Sequence, residues 1–515
     1  MMKRIVALLL AGLLIASFAA CGSESNSSNS APSEGSDSGS SISETAQEET
    51  GEKQKLVMAF ATWVGALPDT QAVQDQMNEV LAEKGLEVEL QISDSGSYKQ
   101  NMTLALSSGE PIDVFNTWNC EYPNLVQQGY LVDMEENDNL NTNGEGIVEA
   151  IGQEYVDACR ISGKLYGLPN NRDFAMGRGC VAIGTEYLEG IGYEVDEEQE
   201  IIPTTIEEIN EIYAQLHETY PDLEVYRPVT GSMLQFSNID NLGGSVFGVL
   251  ENYGAELKVV NLFETDYYKT YCERMYDYNQ KGYISADAAT DTTSVGELTK
   301  AGTLMSYTTG GKPGIKVQET NLCGRPMTIF QTMDDYVSSA SVASWTWSIG
   351  ITTSDAGKSM QLIKEFYTNE DLANLLSWGI EDQHYKVEED GLITYADGVD
   401  ASTSGWNHTM QWLMPNQYIT HVWTGNAPDL WEQTDTFNKE AKQSSAIGFS
   451  FDTTNVATEI TSVSNVYQEF QKSLEFGYVD PATGLEEFNE KIKAAGLDKI
   501  IEEKQKQLDA WAQTK

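Results

Sequence analysis

Beyond residue 55, hydrophobic and polar residues follow an order that predicts three strands separated by two helices. The continuous apolar run at 56–60, the strict alternation at 86–92 and the short apolar run at 112–115 are typical of strands. Between them, apolar residues at helical spacing predict a helix over 69–83, and a second helix is predicted around 98–107. A βαβαβ order predicts a parallel sheet with right-handed crossovers.

The loops after the first and third predicted strands each carry a tryptophan. Trp63 follows the first strand, and Trp118 with Asn119 follows the third. Ligands of open parallel sheets bind just beyond the carboxyl ends of the strands. An indole can stack on a sugar face while an amide hydrogen-bonds its hydroxyls. The two loops therefore predict a carbohydrate subsite, and the alternative is that both indoles cap the core.

The middle of the chain holds a group of polar candidates. A strand is predicted at 164–169, and Asn171, Arg172 and Asp173 come shortly after it. Arg172 and Asp173 either line a cleft or pair with each other, and the sequence leaves both possibilities open. A further strand over 302–307 ends at Tyr307, just before a polar, glycine-containing loop.

Two local patterns of this region predict helices. Thr205 and Glu208 have the spacing of a capping box, which predicts the start of a helix. Tyrosines at helical spacing within 266–282 predict a helix whose stripe packs in the core rather than holding a cofactor.

The last third of the chain is rich in tryptophan. Apolar and polar residues alternate over 341–352, with Trp345 and Trp347 on one side, and this predicts a strand followed by a helix over 356–367. Apolar residues on one side of 485–511 predict a single final helix that packs on the body.

The start of the chain has the composition of an export signal followed by a tether. Lys3 and Arg4 precede an apolar run at 5–20 that is shorter than the roughly 20 residues a membrane-spanning helix needs. Residues 22–55 are polar and have almost nothing to bury, so we expect them to be disordered. Cys21 at the junction resembles the lipidated residue of bacterial lipoproteins; the alternative is ordinary cleavage and free secretion.

The charge excludes two classes of partner. A net charge of −48, from 31 Lys and Arg against 79 Asp and Glu, opposes binding to nucleic acid and to anionic lipid surfaces. It is compatible with neutral or cationic ligands. Six cysteines occur, widely spaced and without a C-x-x-C pair, so most are expected to be small buried residues.

No known catalytic or cofactor motif is complete. The four histidines lack zinc-ligand spacing, residues 243–247 lack the second glycine of a nucleophile elbow, and the loop at 310–313 lacks two residues of a phosphate-binding loop. The sequence therefore predicts no catalytic residue, no metal and no cofactor.

Several ordered motifs resemble the extracellular solute-binding lipoproteins of bacterial ABC importers, of the carbohydrate-binding type. They include residues 111–115, 164–169 and 348–367, together with 375–385, 447–452 and 488–500, which resemble a lipoprotein subgroup with its own C-terminal region. The resemblance implies an α/β fold of two lobes (type II periplasmic-binding-protein-like) that close on a ligand at a hinge. The implied organisation is a signal peptide at 1–20, a lipidated tether at 21–55, a first lobe at 56–169 plus 345–405, and a second lobe at 170–344 plus 406–515.

The predicted function is capture of a neutral saccharide outside the membrane and its delivery to ABC permease subunits. We expect a monomer, anchored at the outer face of the cytoplasmic membrane through Cys21. A peptide-binding version of the same protein and an anchored glycoside hydrolase remain as alternatives. The predicted ligand contacts are Trp63, Trp118, Asn119, Asn171, Arg172, Asp173, Tyr307, Trp345, Trp378, His384 and Trp406, although core packing is an equal alternative for each late tryptophan.

Overall fold

The computed structural model describes residues 54–63, 67–243 and 245–513, which form strands and helices around two main sheets. The strands are β1 Gln54–Thr62, β2 Leu86–Asp94, β3 Val114–Asn116, β4 Arg160–Ile161, β5 Lys164–Leu165, β6 Gly167–Pro169, β7 Met176–Gly184, β8 Ile202–Pro203, β9 Glu224–Arg227, β10 Leu304–Gly311, β11 Met327–Gln331, β12 Asp335–Val337, β13 Thr346–Ile349, β14 Tyr385–Val387, β15 Ile393–Tyr395 and β16 Lys442–Gln443. The helices are α1 Thr70–Leu81, α2 Ser95–Ser108, α3 Tyr122–Gln127, α4 Asn139–Asn143, α5 Ile147–Ile151, α6 Gln153–Ala158, α7 Thr185–Gly190, α8 Ile206–Thr219, α9 Ser232–Gln235, α10 Asp266–Gln280, α11 Val295–Lys300, α12 Ile315–Cys323, α13 Ser339–Ala343, α14 Ala356–Thr368, α15 Glu370–Trp378, α16 Leu430–Glu440, α17 Ala457–Glu475, α18 Pro481–Ala494 and α19 Leu497–Ala512.

The first sheet confirms the predicted βαβαβ start. Its strand order is β2-β1-β3-β13-β6, and β1 pairs in parallel with both β2 and β3. α1 buries Val73, Met77 and Leu81 against this sheet, as their spacing predicts. The late strand β13 enters between β3 and β6 and is antiparallel to both. The chain therefore returns to its first sheet after building most of the second one, which β16 joins later.

The second sheet has the order β16-β12-β7-β10-β9, with β11 pairing with β7 and β8. The capping box of α8 is confirmed: Glu208 N donates to Thr205 Oγ1 at 3.2 Å, and Thr205 N donates to the Glu208 carboxylate at 3.0 Å. The tyrosine stripe of α10 is buried, which confirms its prediction as core. The five described cysteines are buried free thiols.

Three element predictions were wrong in their bounds. The strand predicted at 164–169 is two strands, β5 and β6, which belong to different sheets. The predicted strand over 341–352 is a short helix, α13, followed by the strand β13, because Ser338 caps the helix through Ser341. Ile351 lies beyond the strand and is 51% exposed. The predicted single helix over 485–511 is instead α18 and α19, separated by Gly496, whose φ of +111° is unsuited to a continuous helix.

Hydrophobic cores form around each sheet. Trp406, Met410 and Leu413, which the sequence assigns to the second lobe, pack in the core of the first sheet. The predicted lobe boundaries otherwise stay predictions. The signal peptide, Cys21 and nearly all of the predicted tether lie outside the described residues, and no described helix has the length and apolar character needed to cross a membrane.

Candidate functional site

A cavity of about 540 Å³ lies beside the loop that follows β10. One wall comes from this loop and from α12, and the other comes from residues 378–434. Its aromatic lining consists of Trp378, Tyr385, Tyr395, Trp406, Trp412, Trp423 and Trp431. Its amide side chains are Gln318, Asn321, Asn407, Gln411, Gln417 and Asn426. A concave, mostly apolar site with a few polar groups is typical of a small-molecule pocket.

The turn after α15 presents Trp378 to this cavity. Gly379 leaves the helix with a φ of +86°, and a Cβ there would lie 2.5 Å from His384 Nδ1 and 2.9 Å from Trp406 Cδ1. Ile380 N donates to His384 Nδ1 at 2.8 Å, which leaves His384 Nε2 to donate to Asp69 at 3.0 Å. The imidazole is therefore held from both sides and supports the turn.

His384 and Trp406 reach the cavity with only a small part of their surface. His384 is 3% exposed and Trp406 is 2% exposed. The Trp406 indole N–H donates to Leu376 O at 3.1 Å, so its polar atom is directed into the protein. Trp378, by contrast, lies next to Trp423 with ring centroids 5.4 Å apart and an interplanar angle of 35°. The two rings form a pair of aromatic faces in the cavity wall.

A second aromatic group, which we call the tryptophan shelf, consists of Trp63, Trp118, Trp345 and Trp412. Trp63 contacts Trp118 and Trp412 at centroid distances of 6.3 and 5.6 Å, and Trp345 contacts Trp412 at 4.8 Å. Trp412 also lines the cavity, so the shelf continues its aromatic wall. Trp63 is 54% exposed, which is unusual for an indole and typical of a ligand-contacting or partner-contacting surface.

Three charged side chains, those of Arg172, Asp173 and Lys312, lie close together just after β6. Lys312 Nζ lies 3.0 Å from Asp173 Oδ2, and Arg172 Nη1 lies 3.4 Å from Asp173 Oδ1. The guanidinium of Arg172 also lies over the Trp345 ring, 4.6 Å from its centroid. Burial opposes ionisation of Asp173, but Lys312 and Arg172 outweigh it and hold its pKa below the usual value. Both alternatives left open by the sequence hold for Asp173, because it pairs with Arg172 and lines the cavity.

Buried asparagines join the chain segments that cross between the sheets. Asn170 donates to Trp412 O at 3.3 Å, Asn416 donates to Tyr367 O at 2.8 Å, and Asn438 donates to Arg172 O at 2.8 Å. Such amides pair main-chain groups that regular structure leaves free. The crossing segments are therefore tied together by side chains, and not only by short strands.

Asn171 belongs to this structural group, which corrects its assignment as a ligand contact. It is 2% exposed and donates to Ala150 O at 2.8 Å and to Asn416 Oδ1 at 3.1 Å. Both amide protons have acceptors within the protein.

Tyr307 also lies away from the cavity, which corrects a second assignment. Its phenol is 2% exposed and bonds to Glu319 and to Cys323 Sγ, the latter at 3.1 Å. Burial and the nearby carboxylate of Glu319 raise the pKa of Tyr307. Alternation along β10 directs this side chain to the α12 side of its sheet, which the chain order does not reveal. Asn119 is exposed beside Trp118, with a φ of +60°, and does not line the cavity.

Sequence reasoning missed part of the lining. Lys312, Trp412 and Trp423 were not predicted as contacts, although the two indoles belong to the dense tryptophan group of the last third. Among the described lining residues, Asp173 is the single carboxylate. No group of three His, Cys, Asp or Glu suited to a metal ion occurs in the described part of the chain.

Comparison with known proteins places the chain among transport proteins. The family model "Bacterial extracellular solute-binding protein" matches residues 75–385, and a domain of unknown function (DUF3502) matches residues 445–513. A carbohydrate ABC transporter substrate-binding protein of Streptococcus pneumoniae serotype 4 is 27% identical over 462 residues, covering 85% of this chain and 87% of the relative.

Solved structures share the fold at low identity. The N-glycan transport solute binding protein NgtS of Streptococcus pneumoniae aligns with a TM-score of 0.77 at 24% identity, covering 89% of this chain and 99% of its own. The same protein in complex with Man5GlcNAc aligns with a TM-score of 0.67 at 23% identity, covering 90% and 99%. The predicted two-lobed α/β solute-binding fold is confirmed.

Proposed function

Since the chain belongs to the bacterial extracellular solute-binding protein family, we propose that it captures a neutral oligosaccharide outside the membrane and delivers it to an ABC permease. Fragments of N-glycans are the first candidates, because NgtS was solved with Man1GlcNAc and with Man5GlcNAc. The relative from Streptococcus pneumoniae, named as a carbohydrate transporter subunit, supports the same ligand class.

The observation that carries this proposal is the chemistry of the cavity lining. Of the lining residues that the structure describes, seven are aromatic and six carry amide side chains, whereas the one carboxylate is paired with Lys312. Sugar rings present C–H faces that pack on aromatic rings, and hydroxyls that exchange hydrogen bonds with amides. A cationic peptide would need unpaired carboxylates at the site. The chain has a net charge of −48, so a lining without net charge points to an uncharged ligand.

The same lining supports binding over hydrolysis. Glycosidases use two carboxyl groups on either side of the scissile bond, about 5–10 Å apart. Among the described lining residues only Asp173 has a carboxylate, and the ion pair with Lys312 keeps it ionised. Among the described lining residues it has no carboxyl partner, and its pKa is lowered, whereas a general acid needs a raised one.

Trp63, Trp118, Trp345 and Trp378 are the proposed stacking residues, and Asn119 extends the polar rim of the tryptophan shelf. We assign Arg172, His384 and Trp406 supporting positions behind the contact surface. Closure of the two lobes would trap the sugar between these walls, as hinge-bending binding proteins do.

Anchoring through Cys21 completes the proposal. A lipid at the end of a polar leash of 34 residues would keep a monomeric captor near its permease, with an r.m.s. reach of about 30 Å. The covalent lipid would be needed because a chain of this charge is repelled by anionic lipid headgroups.

Calorimetry and thermal shift with a ligand panel test the proposal. The panel contains Man1GlcNAc, Man5GlcNAc, maltotriose and a cationic tripeptide. A bound sugar should add about 2.7 kcal/mol of stability at a hundredfold excess over Kd. Stabilisation by the peptide and by none of the sugars would refute the saccharide function. Release of shorter sugars from Man5GlcNAc would establish the hydrolase instead.

A further inference from the structure

The charged groups at the cavity carry an inference about which saccharides are accepted. Lys312 comes directly after β10 in the second sheet, and Asp173 lies in the first segment that crosses between the sheets. Both side chains line the cavity, with Lys312 Nζ 3.0 Å from Asp173 Oδ2. The pair therefore presents one cation and one anion to a ligand at the same point.

Arg172 supports Asp173 from outside the cavity. Its guanidinium lies over Trp345 and donates to Ser341 O at 3.2 Å and to Asp173 itself. These contacts use the donors of Arg172 within the crossing segments, and Arg172 is not among the lining residues. A bound ligand thus meets Lys312 and Asp173, while Arg172 fixes the position of the carboxylate.

We propose that the Asp173–Lys312 ion pair is a specificity determinant that admits uncharged saccharides and rejects saccharides carrying carboxylates, such as uronic or sialic acids. The inference rests on the proposed function and specifies its substrate class. Hydroxyl groups can donate to Asp173 and accept from Lys312 while the pair stays intact. A ligand carboxylate would compete with Asp173 for the same ammonium group, and the two like charges would repel each other in a partly desolvated site.

The inference makes a gain-of-function prediction. Asp173→Asn keeps the shape of the side chain and leaves Lys312 without its anionic partner. Lys312 should then pair with a ligand carboxylate. We expect the affinity for an acidic glycan to rise, so that the preference for the neutral over the acidic glycan falls by about tenfold.

The experiment uses two probes of equal size: Man5GlcNAc, and Man5GlcNAc oxidised at its primary hydroxyls to uronic acids. Calorimetry on the full chain should give wild-type binding of the neutral probe at least about tenfold tighter than of the oxidised one. Asp173→Asn should reduce this ratio of neutral-probe to oxidised-probe affinity by about tenfold. The double variant with Lys312→Gln should lose the improved binding of the oxidised probe. Asp173→Ser gives the same readout if the Asn variant does not fold.

Asp277→Asn is the matched control. It removes the same charge from an exposed pair on α10, where Asp277 lies 2.6 Å from Lys281, and it should leave the ratio unchanged. Equal binding of the two probes by the wild type would overturn the inference and leave the proposed function standing. The inference would also be overturned if both Asp173 variants kept the wild-type ratio of the two affinities. The same holds if the improved binding of the oxidised probe persisted after Lys312→Gln. Binding of neither probe, together with no sugar from the wider panel, would refute the proposed function and this inference with it.

Discussion

Gly379→Ala tests whether the turn after α15 positions Trp378, a cavity-lining residue that we propose stacks on the ligand. Gly379 has φ +86° and ψ −143°, a conformation that is essentially restricted to glycine. An added Cβ would lie 2.5 Å from His384 Nδ1 and 2.9 Å from Trp406 Cδ1, both closer than van der Waals contact. His384 cannot withdraw easily, because it is bonded on one side to Ile380 and on the other to Asp69.

The expected loss of unfolding free energy has two parts. Backbone strain at such a position costs about 1–3 kcal/mol, and forcing an extra methyl into a packed region costs about 1–3 kcal/mol. We therefore expect Gly379→Ala to lower the free energy of unfolding by about 4 kcal/mol. Because the strain is relieved by moving the turn, the affinity for Man5GlcNAc should fall by at least about tenfold.

Gly391→Ala provides the control for backbone strain alone. Gly391 has a φ of +82° in the nearby β14–β15 hairpin, but a Cβ there meets no atom within 4 Å. Its substitution should cost about 1–2 kcal/mol and leave affinity unchanged. Urea denaturation measures the free energy of unfolding of both variants, and calorimetry measures their glycan affinity. If Gly379→Ala is no more destabilising than Gly391→Ala, or binds the glycan as wild type does, the turn does not position Trp378.

Four further changes test other parts of the structure. Burial raises the pKa of Glu475 to about 7, so the folded state loses stability as the pH rises from about 4.5 to 7. In thermal melts, Glu475→Gln should therefore stabilise the protein by about 3 kcal/mol at pH 8 and hardly at pH 4.5. Equal stabilisation at both pH values would contradict this expectation. Trp63→Ala should weaken glycan binding by about tenfold in calorimetry while changing the free energy of unfolding by less than about 1 kcal/mol, since Trp63 is exposed. Asn171→Ala leaves buried acceptors unpaired, so it should lower the free energy of unfolding by about 2 kcal/mol in urea denaturation. The glycan affinity should change by less than about threefold. A large loss of affinity with unchanged stability would restore Asn171 as a ligand contact. Cys21→Ser should release the protein from cells into the medium with its glycan affinity unchanged, and retention on the membrane would refute the lipid anchor.

Local patterns were sufficient for most elements of the fold. The strands and helices of the first sheet, the capping box at Thr205 and the buried tyrosines of α10 follow from periodicity and capping. The predictions went wrong where one local signal was outweighed by another. Alternation over 341–352 suggested a strand, but Ser338 provides a helix cap there, and Gly496 interrupts an otherwise continuous apolar stripe.

The candidate site was predicted only in part, because an indole has the same apolar character in a core as in a ligand pocket. Trp63 and Trp118 were predicted from their position after parallel strands, and the structure brings them together in the tryptophan shelf. Trp347 has the same kind of neighbours in the sequence as Trp345, yet it is fully buried, with its indole N–H bonded to Leu413 O at 3.0 Å.

The sequence by itself determined what depends on neighbours along the chain: the βαβαβ start and the resemblance to solute-binding proteins. Only the tertiary structure decided which polar groups line the cavity and which tie the crossing segments together. Asn171 and Asp173 are two residues apart, but the first is enclosed by Ala150 and Asn416, whereas the second meets Lys312 at the cavity. The physical reason is that hydrogen bonds and ion pairs depend on distances of about 3 Å, and for these residues the partners come from distant segments joined by the return of the chain.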